Sequence, residues 1–183
     1  AGMLIPANGA IDRSASHRMS TLYLPDQRID MLPEIFSTEI ASLDPGKTRF
    51  TLSLTAAVSN SGELLRWDIN VSRVFIDDSL TYEQATHILD KKSHPNHIDL
   101  DGLRKTADSM RTKREQLGAI VLDQPEMTIK IDSEGQVDVT VIHRDNPARL
   151  LVSEMAILYN SIIAEFCKIE GIPALYRVQS SPE

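Results

Sequence analysis

From Asn146 to Gly171, apolar positions recur at the three- and four-residue spacing of a helix. One stripe carries Leu151, Met155, Leu158, Ile162, Phe166 and Ile169, and a second carries Val152, Ala156, Tyr159 and Ile163. Asn146 suits the N-cap, and Pro147 sits where a first helical residue needs no N–H. Gly171 supplies a left-handed stop, with Pro173 just beyond it. Two apolar stripes predict a long central helix buried on more than one side, followed by a short strand. Glu154 is stranded inside this pattern, beside Ser153. A carboxylate there needs a partner, either a structural cation or a substrate.

Upstream, Ala1–Pro6 reads as the end of an apolar strand, and Asp12 as the cap of a helix reaching about Ser20. Leu24 to Arg28 is a loop, and Asp44-Pro45-Gly46-Lys47 a turn. Phe50, Leu52, Leu54, Ala56 and Val58 alternate as a strand; after Ser59-Asn60-Ser61-Gly62 the return strand alternates at Leu65, Trp67, Ile69 and Val71. The apolar phase then slips to Val74 and Ile76, which predicts a bulge near Ser72 and Arg73. Thr81-Tyr82-Glu83-Gln84 has the form of a capping box opening a short helix. Asp99 to Gly118 reads as another helix, with Leu100, Leu103, Ala107, Met110 and Leu117 on one stripe. Arg114 falls on that stripe, and its plainest reading is a snorkelling arginine on a solvated face. Ile120-Val121-Leu122 reads as a short buried strand. Met127–Ile131 and Val137–Val141 alternate strictly about Asp132-Ser133-Glu134-Gly135, a hairpin. The fold class expected is α+β (mixed α/β): largely antiparallel strands and hairpins packed with a long central helix. Residues 1–183 form a single segment with no separate second domain.

Composition narrows the function classes. With 183 residues, 42% hydrophobic and 25% charged, the chain suits one globular domain. No apolar run approaches the ~20 residues of a membrane span, so no membrane partner is expected. The single cysteine, Cys167, excludes an internal disulfide framework and a cysteine-rich zinc site; a reducing cytoplasm is the expected compartment. A net charge of −7 argues against gripping duplex DNA by charge alone, but leaves room for a short basic channel lining. There is no Gly-rich phosphate loop and no Gly-x-Ser-x-Gly elbow. His94 and His97 flank a Pro-Asn loop with no third ligand nearby, so no metal ligand is assigned. Taken alone, the residues give a mixed-fold domain without a self-sufficient catalytic constellation.

Five stretches, in order, carry a resemblance. They are Ser20-Thr21-Leu22-Tyr23-Leu24-Pro25 with Met31-Leu32-Pro33; Ser42-Leu43 before the first hairpin; Leu80-Thr81-Tyr82-Glu83-Gln84; Lys113-Arg114-Glu115-Gln116-Leu117-Gly118-Ala119-Ile120; and Ala148-Arg149-Leu150-Leu151-Val152-Ser153-Glu154-Met155, continuing to Asn160 and Pro173-Ala174-Leu175-Tyr176-Arg177. Together they span nearly the whole chain and resemble the catalytic (RNB) domain of the ribonuclease II and ribonuclease R exoribonuclease family. The resemblance implies a processive 3′-to-5′ exoribonuclease that threads single-stranded RNA and releases nucleoside 5′-monophosphates. It also implies Mg²⁺ held by a cluster of aspartates, with in-line attack by water. That cluster is expected just before Ala1, and an arginine-bearing loop and an RNA-binding tail beyond Glu183. The segment is thus expected to work with the remainder of a parent polypeptide, as its internal part.

The resemblance implies roles for particular residues. Tyr82 matches a tyrosine near the 3′-terminal nucleotide and scissile phosphate, the one catalytic assignment. Tyr23 matches an aromatic that clamps terminal bases by stacking. Leu122 stands where some members place the second, phenylalanine face of that clamp. Ser153 aligns with a carboxylate that senses the terminal sugar, and Glu154 is a possible substitute for it. Two other readings stay open: a catalytically degenerate RNA-binding or structural homologue, and a mixed-fold scaffold for a protein partner.

Overall fold

A computed structural model describes residues 4–121, 126–132, 134–142 and 146–176. In chain order the elements are α1 (Ala10–Arg18), β1 (Leu22–Tyr23), β2 (Arg28–Ile29), a π-helical turn (Phe36–Ile40), β3 (Thr48–Val58), β4 (Leu64–Phe75), α2 (Tyr82–Asp90), α3 (His97–Gln116), β5 (Glu126–Ile131), β6 (Val137–Ile142) and α4 (Pro147–Ile169). The strands pair as three two-stranded ribbons, β1–β2, β3–β4 and β5–β6, so the α+β class with hairpins holds. The residues gather into two compact units. One comprises Ala1–Thr51, Val71–Ser79 and Gln124–His143; the other comprises Leu52–Asn70, Leu80–Asp123 and Arg144–Glu183.

In the first unit, α1 is capped by Gly9 rather than Asp12. Asp12 lies in the first turn, where its carboxylate accepts the Asn8 N–H at 2.7 Å. Leu4–Pro6 form a turn rather than a strand end, and Ala1–Met3 lie outside the described residues. β1 and β2 are antiparallel, with Leu22 opposite Ile29 and Tyr23 opposite Arg28. The turn at Asp44–Lys47 forms as expected, with Gly46 at φ 71° and the Lys47 N–H reaching the Asp44 carbonyl. β5 and β6 pair antiparallel from Glu126↔Ile142 to Ile131↔Val137. The Asp132 carboxylate closes their turn by accepting the N–H groups of Glu134 and Gln136. This register aligns Met127, Ile129 and Ile131 with Val141, Val139 and Val137, and all six side chains are exposed.

The β3–β4 ribbon runs through both units. In β4 the better-covered positions are Trp67 and Ile69, then Ser72 and Val74, so the face changes at the exposed pair Asn70–Val71. The slip expected near Ser72 and Arg73 therefore comes two residues earlier. It coincides with the point where the strand passes from one unit to the other.

The second unit holds α2, α3 and α4, with α4 packed on α3 and α2, and α2 on α3. Its fully covered apolar side chains are Ile88, Ala107, Met110, Ala148 and Ile162. The Thr81 capping box is present in both directions: the Thr81 hydroxyl accepts from Gln84 N–H and the Gln84 side chain accepts from Thr81 N–H. α4 ends as its sequence dictates. Gly171 takes φ 63°, and the Ile172 N–H returns to the Cys167 carbonyl.

Four expectations are corrected in this unit. α4 is covered unevenly rather than buried on more than one side: Val152 and Ala156 of the second stripe and Ile169 of the first are exposed, and Ile162 is the one fully buried position of the two stripes. Ile172–Tyr176 form no strand; Tyr176 instead donates its hydroxyl to the Ala164 carbonyl of α4, and the residues after it lie outside the described ones. Ile120 and Val121 form no buried strand either; both are irregular and exposed, and Leu122 lies outside the described residues. α4 also overturns the claim that no apolar run approaches a membrane span. Its 23 residues, with a mean hydropathy of 1.5 over the qualifying window, are long and apolar enough to cross one by length and composition. Only 11% of that window is buried, although α4 packs against α2 and α3.

The ribbon tip meets α3 closely. Gly62 has φ +76°, and a Cβ there would lie 2.4 Å from the Ser109 carbonyl oxygen. Trp67 meets Phe166 of α4 edge to face, with ring centroids 6.3 Å apart. Gly62→Ala should therefore destabilise the second unit by at least about 2 kcal/mol, combining left-handed strain with a backbone clash. Gly118→Ala, at φ +95° with open space around it, carries the conformational cost alone, about 1–2 kcal/mol. Urea denaturation followed by Trp67 fluorescence compares the two; equal midpoints would contradict the close approach.

Acid should act through α3. Hydrogen bonds from Lys105 and Arg104 hold the Asp101 carboxyl at about 2, below its ordinary 3.8. A lowered folded value means that the contribution is complete above the ordinary value and is lost as pH falls through the folded one. Asp101→Asn should flatten the acid limb of stability between about pH 4 and pH 2. Thermal melts across that window check it.

Candidate nucleic-acid interface

Two polar anomalies of the sequence answer one another. Arg114 follows Ala107 and Met110 on the buried stripe of α3. Glu154 lies on the side of α4 that faces it and is 2% exposed. The guanidinium grips both carboxylate oxygens, Nε to Oε2 at 3.1 Å and Nη2 to Oε1 at 2.5 Å. That is the fork-to-fork geometry in which a buried pair repays its desolvation. The hydrogen bonds to Glu154 raise the Arg114 pKa above its ordinary value, against the opposing effect of burial. Arg114 is thus a structural cation rather than a snorkelling surface arginine, and Glu154 is the strut that it holds. Ser153, one residue earlier, is exposed.

Tyr82 is the first residue of α2, and the Thr81 capping box fixes its backbone. One turn on, the Thr86 hydroxyl lies 2.8 Å from the Tyr82 carbonyl and 3.1 Å from Asn146 Oδ1. The same Asn146 oxygen caps α4 by accepting the N–H groups of Ala148 and Arg149, at 2.9 and 3.2 Å. One amide oxygen therefore ties the starts of two helices together. The arrangement brings the Arg149 guanidinium over the Tyr82 ring, 4.3 Å from its centroid. Ser153 lies four residues after Arg149, one helical turn along the same side. Tyr82 remains 38% exposed beside this contact.

Tyr23 belongs to the other unit, where it stands on β1 and is 79% exposed. Leu122 lies outside the described residues. Arg149 received no role from sequence reasoning. Its signal was available: a cation in the first turn of a helix opposes the macrodipole and calls for another reason to be there.

A divalent metal does not fit what is present. Among the described residues there is no group of three or more His, Cys, Asp or Glu side chains able to hold one. Asp78, beside Asp77, turns its carboxylate onto the neighbouring Ser79 N–H at 2.7 Å. His97 Nδ1 lies 3.0 Å from the Ile88 carbonyl.

The RNB domain model matches residues 2–183. The chain belongs to the RNB family. Ribonuclease R of Thermotoga maritima is 29% identical over 185 residues, covering 98% of this chain and 26% of its own length. The RNB segment thus spans about a quarter of the curated relatives that it matches. Among solved structures, apo RNase R of Mycoplasma genitalium superposes with a TM-score of 0.84 at 22% identity, over 93% of this chain and 27% of that one. Yeast Ssd1, a pseudonuclease, superposes at 0.65 and 22% identity, over 88% of this chain and 20% of that one. At these identities the likeness is one of fold. A single family match runs across both compact units.

The ion pair of this RNB segment predicts an asymmetric mutational response. Arg114→Met leaves a nearly water-free carboxylate unpaired and should cost about 3–5 kcal/mol. Glu154→Gln leaves a guanidinium whose side chain is 35% exposed, so water covers part of the loss and the cost is about 1–2 kcal/mol. The double change Arg114→Met with Glu154→Leu should recover much of the first loss. Urea midpoints of the three variants test the order.

Proposed function

We propose that the protein carrying this segment is a 3′-to-5′ exoribonuclease acting on single-stranded RNA and releasing nucleoside 5′-monophosphates. Family membership across residues 2–183 is the observation that carries the reading. The half-buried Arg149 guanidinium over the exposed Tyr82 supports it, because a ring and a guanidinium suit a sugar-phosphate strand. In this reading Tyr82 contacts the terminal nucleotide, and Tyr23 and Leu122 press on bases along the path. Ser153 faces the terminal sugar, and Glu154 acts indirectly, by holding α4. Mg²⁺ belongs to the proposed reaction, with its carboxylate ligands supplied from outside this segment. The remainder of the longer protein is the proposed cover for the apolar β5–β6 face. A reducing cytoplasm is the proposed compartment, in keeping with the single cysteine.

The second reading is a catalytically degenerate RNA binder. What favours it is that the fold also occurs in Ssd1, a pseudonuclease. The experiment takes 5′-labelled single-stranded RNA with Mg²⁺ and adds either this chain or the longer protein. The chain alone should release no mononucleotide, and the longer protein should shorten RNA stepwise from its 3′ end. Binding without shortening by the longer protein would leave only the degenerate reading. In the active protein, Tyr82→Ala should lower turnover and leave affinity for long RNA nearly unchanged, because Tyr82 acts only at the terminal nucleotide.

A further inference from the structure

Arg149 is a cation in search of an anion. It stands in the first turn of α4, where the helix dipole disfavours positive charge. Among the described residues no carboxylate pairs with it, and its side chain donates to no carbonyl; its recorded partner is the face of Tyr82. Stacking engages the face of a guanidinium and leaves its in-plane N–H donors free. The backbone of Tyr82 is held by the capping box at the start of α2 and by Thr86, so its ring is carried on an ordered helix start. A planar cation, pre-oriented on a ring with an unused donor fork, matches a tetrahedral oxyanion with two accessible oxygens.

We propose that Arg149, stacked on Tyr82, is a positioning residue that grips one backbone phosphodiester of a single-stranded RNA. The inference rests on the RNA reading above and extends it to a residue and a ligand group. Tyr82 contributes by orienting the guanidinium as well as by any contact of its own. Ser153, one turn along α4, is an exposed polar residue on that side for the adjoining sugar. Arg149 itself breaks no bond. It fixes where one phosphate sits, which fixes the register of the strand.

The test measures binding of a short oligoribonucleotide to the full chain by fluorescence anisotropy, across a salt series. A second series moves a single uncharged methylphosphonate linkage along the oligonucleotide. Arg149→Gln should bind about tenfold more weakly, the loss of one hydrogen-bonded charge contact. Its slope of log K against log salt should fall by about 0.7, the value for one single-strand phosphate. One methylphosphonate position should weaken the unaltered chain and leave Arg149→Gln unaffected, which a merely structural arginine would not produce. Tyr82→Phe should preserve this pattern and Tyr82→Leu should erase it. If Arg149→Gln does not fold, the Arg149 Nε–H resonance of the unaltered chain carries the test: it should shift with RNA, and less with the methylphosphonate at that one linkage. Binding with unchanged slope and unchanged linkage pattern in Arg149→Gln, or an unmoved Nε–H resonance, overturns the role of Arg149 and leaves the RNA reading standing. An unaltered chain that binds no single-stranded RNA even at low salt overturns the grip by Arg149, and the RNA reading is then judged separately by whether the longer protein shortens RNA.

Discussion

The pair of Arg114 and Glu154 is the constraint on which the helical unit depends. A carboxylate with 2% of its surface exposed is tolerable only while both of its oxygens are hydrogen-bonded. Arg114 meets that condition from α3, with two nearly parallel donors. Apolar side chains can slide past each other at little cost, whereas a bidentate ion pair accepts one register. The pair therefore pins α4 along α3, beside the apolar contacts of Ala107, Met110 and Ile162.

What that register positions is the start of α4. Asn146 caps the helix and shares its oxygen with Thr86, so α2 and α4 begin beside one another. Arg149 is thereby delivered onto the Tyr82 ring. Glu154 and Arg149 are five residues apart on α4: one is buried against Arg114, the other half-buried over the Tyr82 ring. A residue inside the core and a half-buried residue are thus coupled through one rigid helix. The placement of Arg149 over Tyr82 depends in this way on a carboxylate buried in the helix interface.

The two ribbons show a different balance. β5–β6 has strict alternation and a well-formed turn, yet its apolar face is exposed. Periodicity specifies that a face is apolar, and says nothing of what lies against it. The same holds along β4, where the covered side changes at Asn70–Val71 because the strand serves two units in turn.

The sequence by itself determined what local chemistry controls. The capping box at Thr81, the Asn146–Pro147 start and Gly171 end of α4, and the hairpin about Asp132 follow from side chains within a few residues of each other. The family motifs were legible for the same reason, since they are runs of contiguous residues. Tertiary structure decided whatever needed a partner distant in the chain. Glu154 called for a partner and Arg114 stood out of pattern, but forty residues separate them and nothing local joins the two. Which apolar positions of α4 are covered was likewise decided by its neighbours: Val152 and Ala156 stay exposed, whereas Tyr159 and Ile163 of the same stripe are half-buried. Arg149 found Tyr82 across a gap that no spacing rule spans, because its position depends on how two helix starts pack.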